Sequence, residues 1–227
     1  MLQHLRGGFG VSAVPVASLR VIRDFLNPPR PVPRRKDRRT AKRGGWTGTQ
    51  WVTWKEICRV SEIEIQLRRN RTPLNVCLSF APVDAPSLAE AKRIISRDIG
   101  HLGQALKRAG CPHHIGLTAY ERNRKGKAFD RNGHEGLHAH HALHVPAGFR
   151  HVVQRFVDLA PAGERHIRTF DSGGVWYLTK QREALPPDFP AAINGRPHKR
   201  ELGDFIPGKR LSLTGAAEAI VGPVHAT

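Results

Sequence analysis

Apolar positions along the chain change their spacing several times, and each change marks an element. Leu74 to Phe80, LNVCLSF, is a short and nearly continuous apolar run, the pattern of a buried strand. Pro86 and Ser87 then precede a stretch in which Leu88, Ala91, Ile95, Ile99, Leu102, Leu106 and Ala109 fall on one helical stripe. Ser87 and Glu90 have capping-box spacing, and Gly110 stops the helix. A second strand is expected from His114 to Tyr120, followed by a polar connection, RNRKGKAFDRNGHEG, that reads as a long hairpin loop. Leu137 to Val145 is the third strand, closed by Pro146. Phe149, Val152, Val153, Phe156 and Val157 mark a second amphipathic helix, and a fourth short strand lies near His166 to Phe170. After Gly173 and Gly174, the segment VWYLTKQREAL predicts a third helix with Trp176, Tyr177 and Lys180 on its first two turns.

The resulting order is strand, helix, strand, strand, helix, strand, helix. It predicts an α+β fold, a ferredoxin-like or RRM-like palm with an antiparallel sheet of about four to five strands and helices mainly on one face. At 227 residues the chain has room for one domain of roughly 130 to 150 residues with flanks. The pattern assigns residues 46–184 to that domain, residues 1–45 to a basic, disordered N-terminal arm, and residues 185–227 to a Pro/Gly-rich C-terminal tail without a catalytic role.

Charge narrows the partner. Lys and Arg number 37 against 19 Asp and Glu, giving a formal net charge of +18, and such a field attracts polyanions, nucleic acid first among them. Residues 27–45 alone combine four prolines with eight basic residues. Arg34, Arg35, Lys36, Arg38, Arg39, Lys42 and Arg43 are candidate phosphate contacts there, the alternative being a solvated linker. Trp46, with Trp51 and Trp54 behind it, is placed either to stack on unpaired bases or to pack in the core. No apolar stretch is long enough to span a membrane and the first residues do not read as a leader, so the expectation is a cytoplasmic protein without a membrane partner. Cys58, Cys77 and Cys111 form no Cys-x-x-Cys pair and read as buried thiols.

The third strand holds the most pointed chemistry. LHAHHALHVP has four histidines within residues 138–144, and strand alternation decides which of them can act together. His138 and His140 project from one face with the separation that two imidazoles on one metal require. His141 points the other way, and His144 shares the first face farther along. Glu121, at the end of the preceding strand, is the candidate third ligand through hairpin pairing, and Glu135 in the loop is the weaker alternative. Two imidazoles and a carboxylate suit Mg²⁺ or Mn²⁺ with positions open to phosphate and water, although zinc and other transition metals also fit.

The chain has two tyrosines, and one of them opens the pattern Tyr-x-x-Lys at Tyr177 and Lys180. On a helix that spacing puts both on one side. A phenol is a weak nucleophile at neutral pH and needs a metal or a basic group beside it. Lys180 is suited to stabilise the phenolate or to hold a phosphate; otherwise Tyr177 packs on a buried flank and Lys180 is solvated.

Taken together, LNVCLSF, the HAH of His138 to His140 and the YLTK of Tyr177 to Lys180 resemble, in order, the three motifs of the HUH endonucleases, specifically the single-tyrosine rolling-circle replication initiators of plasmids and phages. The resemblance covers about Leu74 to Gln181, with Ser79 where a threonine is more usual. It implies that Tyr177 attacks a DNA phosphate at an origin, forming a 5′-phosphotyrosine link and freeing a 3′-hydroxyl, while His138, His140 and Glu121 hold the metal and Lys180 positions or neutralises. It further implies single-stranded or hairpin origin DNA as the partner, with host helicase and polymerase downstream. A single-strand transposase would use the same residues. A non-catalytic single-stranded DNA-binding or replication accessory protein would need the arm, the tryptophans and the sheet but not Tyr177, and a zinc-stabilised regulator would need only the histidines.

Overall fold

The computed structural model describes residues 40–43, 46–49, 51–82, 85–111, 113–122, 136–161, 164–170, 174–182, 192–193, 196–197 and 206–221. Its centre is a five-stranded antiparallel sheet. In chain order the strands are β3 (Val76–Phe80), β4 (Ile115–Arg122), β5 (Leu137–His144), β6 (Arg165–Thr169) and β10 (Leu211–Leu213). Across the sheet they run β10-β4-β5-β3-β6. The fold is α+β with an open antiparallel sheet, as the pattern of elements predicts.

Helix α2 (Leu88–Arg108) begins where expected, because the Ser87 hydroxyl accepts from the Glu90 N–H at 3.2 Å. The Glu90 carboxylate turns instead to Arg93, at 2.7 Å. Gly110, at φ +88, takes the left-handed conformation that lets the chain leave the helix. Helix α3 (Arg150–Asp158) follows a 3₁₀ turn at Ala147–Phe149. Both helices lie on one face of the sheet, where Ala91, Ile95, Leu102, Leu106 and Val153 pack with Val76, Leu78, Phe80, Leu137, Ala139 and Leu143.

The other face carries a second cluster, in which Cys77, Ile115, Leu117, Ala119 and Ala142 meet three helices. One is α1 (Trp54–Arg69), a helix the hydrophobic reading does not include. It is started by a full capping box between Thr53 and Glu56, and its Val60, Ile63 and Leu67 face the sheet. The others are the short α4 (Gly174–Leu178) through Leu178 and α5 (Gly215–Val221) through Ala217.

Three expectations are corrected. The boundary after residue 184 does not hold, because β10 pairs with β4 as the sheet's edge and Ala217 of α5 is fully buried, so the assigned tail completes the domain. The boundary between 45 and 46 falls within a hairpin of β1 (Thr40–Arg43) and β2 (Trp46–Thr49), where Arg43 pairs with Trp46, and β2 pairs in turn with β9 (Ile206–Pro207). The third helix ends at Leu178, short of Lys180. Past that point the chain is drawn into extended pairing: the Val52 N–H donates to the Gln181 carbonyl at 2.8 Å, and Val52 forms a parallel bridge with Arg182. A further short pair, β7 (Ala192–Ile193) and β8 (Arg196–Pro197), stands apart from these sheets. Cys77 and Cys111 are buried free thiols, and the half-buried Cys58 is pushed up to about 11 by burial and by Glu62. Among the described residues no helix is long and apolar enough to cross a membrane.

One buried acid makes the fold pH-sensitive. Glu64 of α1 is 3% exposed; burial raises its carboxyl, and Arg68 at 2.8 Å offsets only part of the rise, so the group is pushed up to about 7 from 4.5. Between those values the folded state holds the proton more tightly than the unfolded chain, so this residue's contribution to stability falls as pH rises through the window. Glu64→Gln is therefore expected to flatten the pH dependence of the urea midpoint, removing a change of roughly 1–3 kcal/mol between about pH 5 and 7.5. Identical pH slopes for variant and wild type would rule this account out.

Candidate metal centre

Register puts the site together. In the β4–β5 ladder Glu121 stands opposite His138 and Ala119 opposite His140, while in the β3–β5 ladder Ser79 stands opposite His140. Alternation then sends Ser79, Glu121, His138 and His140 to the face that carries Cys77, Ala119 and Ala142. His141 goes to the opposite face, where its Nε2 lies 2.8 Å from His114 Nε2 and its Nδ1 2.9 Å from the Thr118 hydroxyl. His144 Nδ1 bonds the Pro73 carbonyl at 2.8 Å. The strand's histidines thus divide as alternation predicts.

Glu121, His138 and His140 are all buried, and one donor atom from each lies within 4.8 Å of the other two. Glu121 Oε2 is 3.1 Å from His138 Nε2 and 3.6 Å from His140 Nε2. Each imidazole is oriented from behind. His138 Nδ1 lies 3.1 Å from the Gly136 carbonyl, which can only accept; with the proton on Nδ1, Nε2 is the nitrogen whose lone pair a metal would use. His140 Nδ1 lies 2.9 Å from the Ser79 hydroxyl. These are the outer partners that keep metal-ligating histidines in the right tautomer.

The charges are arranged for a cation. Burial would raise the Glu121 carboxyl, but His140, His138 and Lys180 outweigh it and hold the group well below the usual carboxylate range. Burial pushes the His140 imidazole down, and Glu121 opposes this only in part. At 3.1 Å, His138 Nε2 and Glu121 Oε2 are within hydrogen-bond distance, so a proton on that nitrogen takes the place that a cation between the two groups would hold. Glu121 Oε1 is moreover buried with no hydrogen-bond partner. Two imidazole nitrogens and a carboxylate that converge, each with its own support and with one oxygen unmatched, make a donor set that fits a metal ion.

Tyr177 reaches this cluster from α4. The helix starts against the sheet at Gly174, where an added Cβ would fall 2.2 Å from the Phe170 ring, so only glycine permits the approach. Tyr177 Oη is 3.0 Å from His140 Nε2, and the two rings meet edge to face at 4.6 Å. Lys180 Nζ, although beyond the helix, lies 3.0 Å from Glu121 Oε2 and 4.6 Å from the Tyr177 ring centre. The Arg168 guanidinium lies 3.8 Å over the same ring. Burial disfavours the Arg168 charge, and Tyr177 and Cys77 together more than compensate, raising its pKa.

Of the candidate residues, Glu121, His138, His140, Tyr177 and Lys180 therefore come together. Arg34, Arg35, Lys36, Arg38, Arg39 and Glu135 lie outside the described residues, while Lys42 and Arg43 fall in β1 and Trp46 in β2. Sequence reasoning did not name Ser79, Gly136 or Arg168 as parts of the site. Ser79 stood in the first motif, where its polarity was the available signal; Gly136 acts through its carbonyl, and Arg168 through a register that no local pattern reveals. The chain has no match among family models, and none among curated proteins or solved structures.

Titration calorimetry with Mn²⁺ is expected to show one site per chain. Glu121→Gln should abolish it, and Ser79→Ala, which removes only the support behind His140, should weaken it by roughly 10- to 100-fold. Unaltered Mn²⁺ affinity in both variants would eliminate this cluster as the metal site.

Proposed function

We propose that the chain is a metal-dependent enzyme that nicks and rejoins single-stranded or hairpin DNA at a replication origin, with Tyr177 as the nucleophile. One observation carries this reading: the Tyr177 hydroxyl lies 3.0 Å from His140 Nε2, at the edge of the buried Glu121, His138 and His140 cluster. A tyrosine that merely packed would have no need of a metal-ligand set at its hydroxyl. Mg²⁺ or Mn²⁺ held by those three residues would polarise the scissile phosphate and stabilise the charge that develops on it.

The chain's own groups then have definite tasks. Tyr177 Oη attacks the phosphorus and gives up its proton, the bond from phosphorus to the 3′-oxygen breaks, and that oxygen takes up a proton as a free 3′-hydroxyl. One phosphate ester is exchanged for another, so the 5′-phosphotyrosine link retains the bond that rejoining needs. Lys180 and Arg168, both against the phenol ring, draw the phosphate towards it. The net charge of +18 supplies the general attraction for the strand.

The deciding experiment incubates the protein with labelled single-stranded and hairpin oligonucleotides from its own replicon and Mn²⁺ or Mg²⁺. A protein–DNA adduct that survives denaturation is expected from wild type and not from Tyr177→Phe, with a loss of at least about 100-fold in His138→Ala. DNA binding without an adduct on every origin-derived sequence would replace the nicking reading with that of a non-catalytic strand binder.

Lys180→Met separates the roles of the second cation. Removing a cation that lies 3.0 Å from Glu121 and would repel the metal should leave Mn²⁺ affinity equal or tighter, while adduct formation slows by about tenfold or more. A parallel loss of metal and activity would mean that Lys180 acts only in holding the site together.

A further inference from the structure

β6 is an outer strand of the five-stranded sheet, and among the described residues no strand pairs beyond it. Which of its backbone groups are left over follows from the ladder to β3. The Ala81 N–H donates to the Glu164 carbonyl at 2.8 Å, and the Phe170 N–H donates to the Asn75 carbonyl at 3.1 Å. Antiparallel alternation then turns the N–H and carbonyl groups of His166 and Arg168 towards Ser79 and Cys77 of β3, and those of Arg165, Ile167 and Thr169 outward. A row of outward donors and acceptors is a template for one more strand.

The same alternation sorts the side chains. Ile167 and Thr169 stand on the face of α2 and α3, across from Leu78 and Val76, while His166 and Arg168 stand on the other face, across from Ser79 and Cys77. On the first face an open cavity of about 400 Å³ lies between α3, β3 and β6, with Val76, Val153 and Ile167 as its apolar floor and Thr169 at its exposed rim. No acidic residue lines it. A strand laid along β6 would thus meet an apolar recess on one face and two exposed basic residues on the other.

Basic residues on an edge strand ordinarily serve to block edge-to-edge aggregation. Here they work against a second copy, since RHIRT beside RHIRT brings like charges together. The same charges favour an acidic chain. A nucleic-acid backbone offers phosphates to the basic residues but no donors to the outward carbonyls, whereas a peptide supplies donors and acceptors in alternation. We infer that β6 and its cavity dock an extended segment of a partner protein in which apolar and acidic residues alternate, added to the five-stranded sheet as a further strand. Its apolar side chains lie over the cavity, and its carboxylates meet His166 and Arg168. The inference uses the sheet edge and not the metal centre, so it stands or falls separately from the nicking reading.

The test compares two labelled peptides of equal composition and about seven residues, one alternating leucine with aspartate and one with the two residue types in separate blocks. Fluorescence anisotropy is expected to show at least about tenfold tighter binding of the alternating peptide, since only that one presents an apolar and an acidic face at once. Thr169→Pro removes an outward N–H and leaves the ladder to β3 intact, so it should weaken the alternating peptide by about tenfold. In isotope-labelled wild type, peptide-induced amide shifts should centre on Ile167 and Thr169. Equal affinity for the two peptides, or shifts that miss β6, overturns the docking site whether or not the proline variant folds. Shifts of the same amides by a single-stranded oligonucleotide and by neither peptide would assign the edge to nucleic acid instead. A doubling of mass in light scattering that Thr169→Pro abolishes would assign it to a second copy, and either result removes the peptide.

Discussion

Glu121 is a carboxylate with almost no access to water, placed at the end of a strand whose neighbours are largely apolar, and its charge has to be met from within the protein. The β4–β5 register does this by setting His138 directly across from it. A slip of one residue would send His138 and His140 to the other face and leave the carboxylate alone. The two faces of the sheet consequently have different duties. One is closed by α2 and α3 over apolar side chains, and that packing holds the register; the other uses the register to gather ligands. Residues that never touch the cluster, such as Leu102 and Leu143, thus fix its geometry.

A polar cluster on a sheet face also needs surroundings that satisfy it, and these come from distant parts of the chain. Gln181 is a junction: its carbonyl accepts from Val52, and its side-chain oxygen accepts from the Arg122 N–H and from Arg210. Arg210, fully buried, also donates to the Tyr120 carbonyl. The segment that carries Tyr177 and Lys180 is therefore tied to residues 52, 122 and 210. This explains why the helix stops at Leu178 and yet Lys180 still reaches Glu121: the chain leaves the helical path because Gln181 has other partners, and the turn brings the ammonium back over the site.

Much of this is legible in the sequence where a pattern repeats. The stripe from Leu88 to Ala109 and the alternation from Leu137 to His144 each state a period several times over, so α2, β5 and the pairing of His138 with His140 follow directly. Helix α1 is equally legible, since Thr53 and Glu56 have capping-box spacing and Ile57, Val60, Ile63 and Leu67 recur at helical intervals. Gly44 and Gly45 between two short polar runs are likewise a hairpin signal within the basic arm. β10 is different in kind. Three residues, Leu211–Leu213, carry no period, and their place beside β4 is decided by tertiary pairing. The same holds for Arg168, whose approach to Tyr177 depends on where β6 sits against β3.

Burial also sets the direction from which the centre can be reached. The three ligands are each less than about a tenth exposed, whereas Tyr177 and Lys180 are half-buried and Arg168 is exposed. Among the described residues, the approach from solvent past Tyr177 is accordingly flanked by two cations. Such a margin favours an anion and works against a free metal ion, which must come close to Lys180 to reach Glu121. A phosphate arriving on the same side offsets both effects, since its oxygens can pair with Lys180 and share the metal's charge. Metal and phosphate then assist each other's binding, and by linkage the assistance is mutual. On the proposed nicking reading, two cations that weaken a bare metal site would make it selective for a metal that arrives with a phosphate.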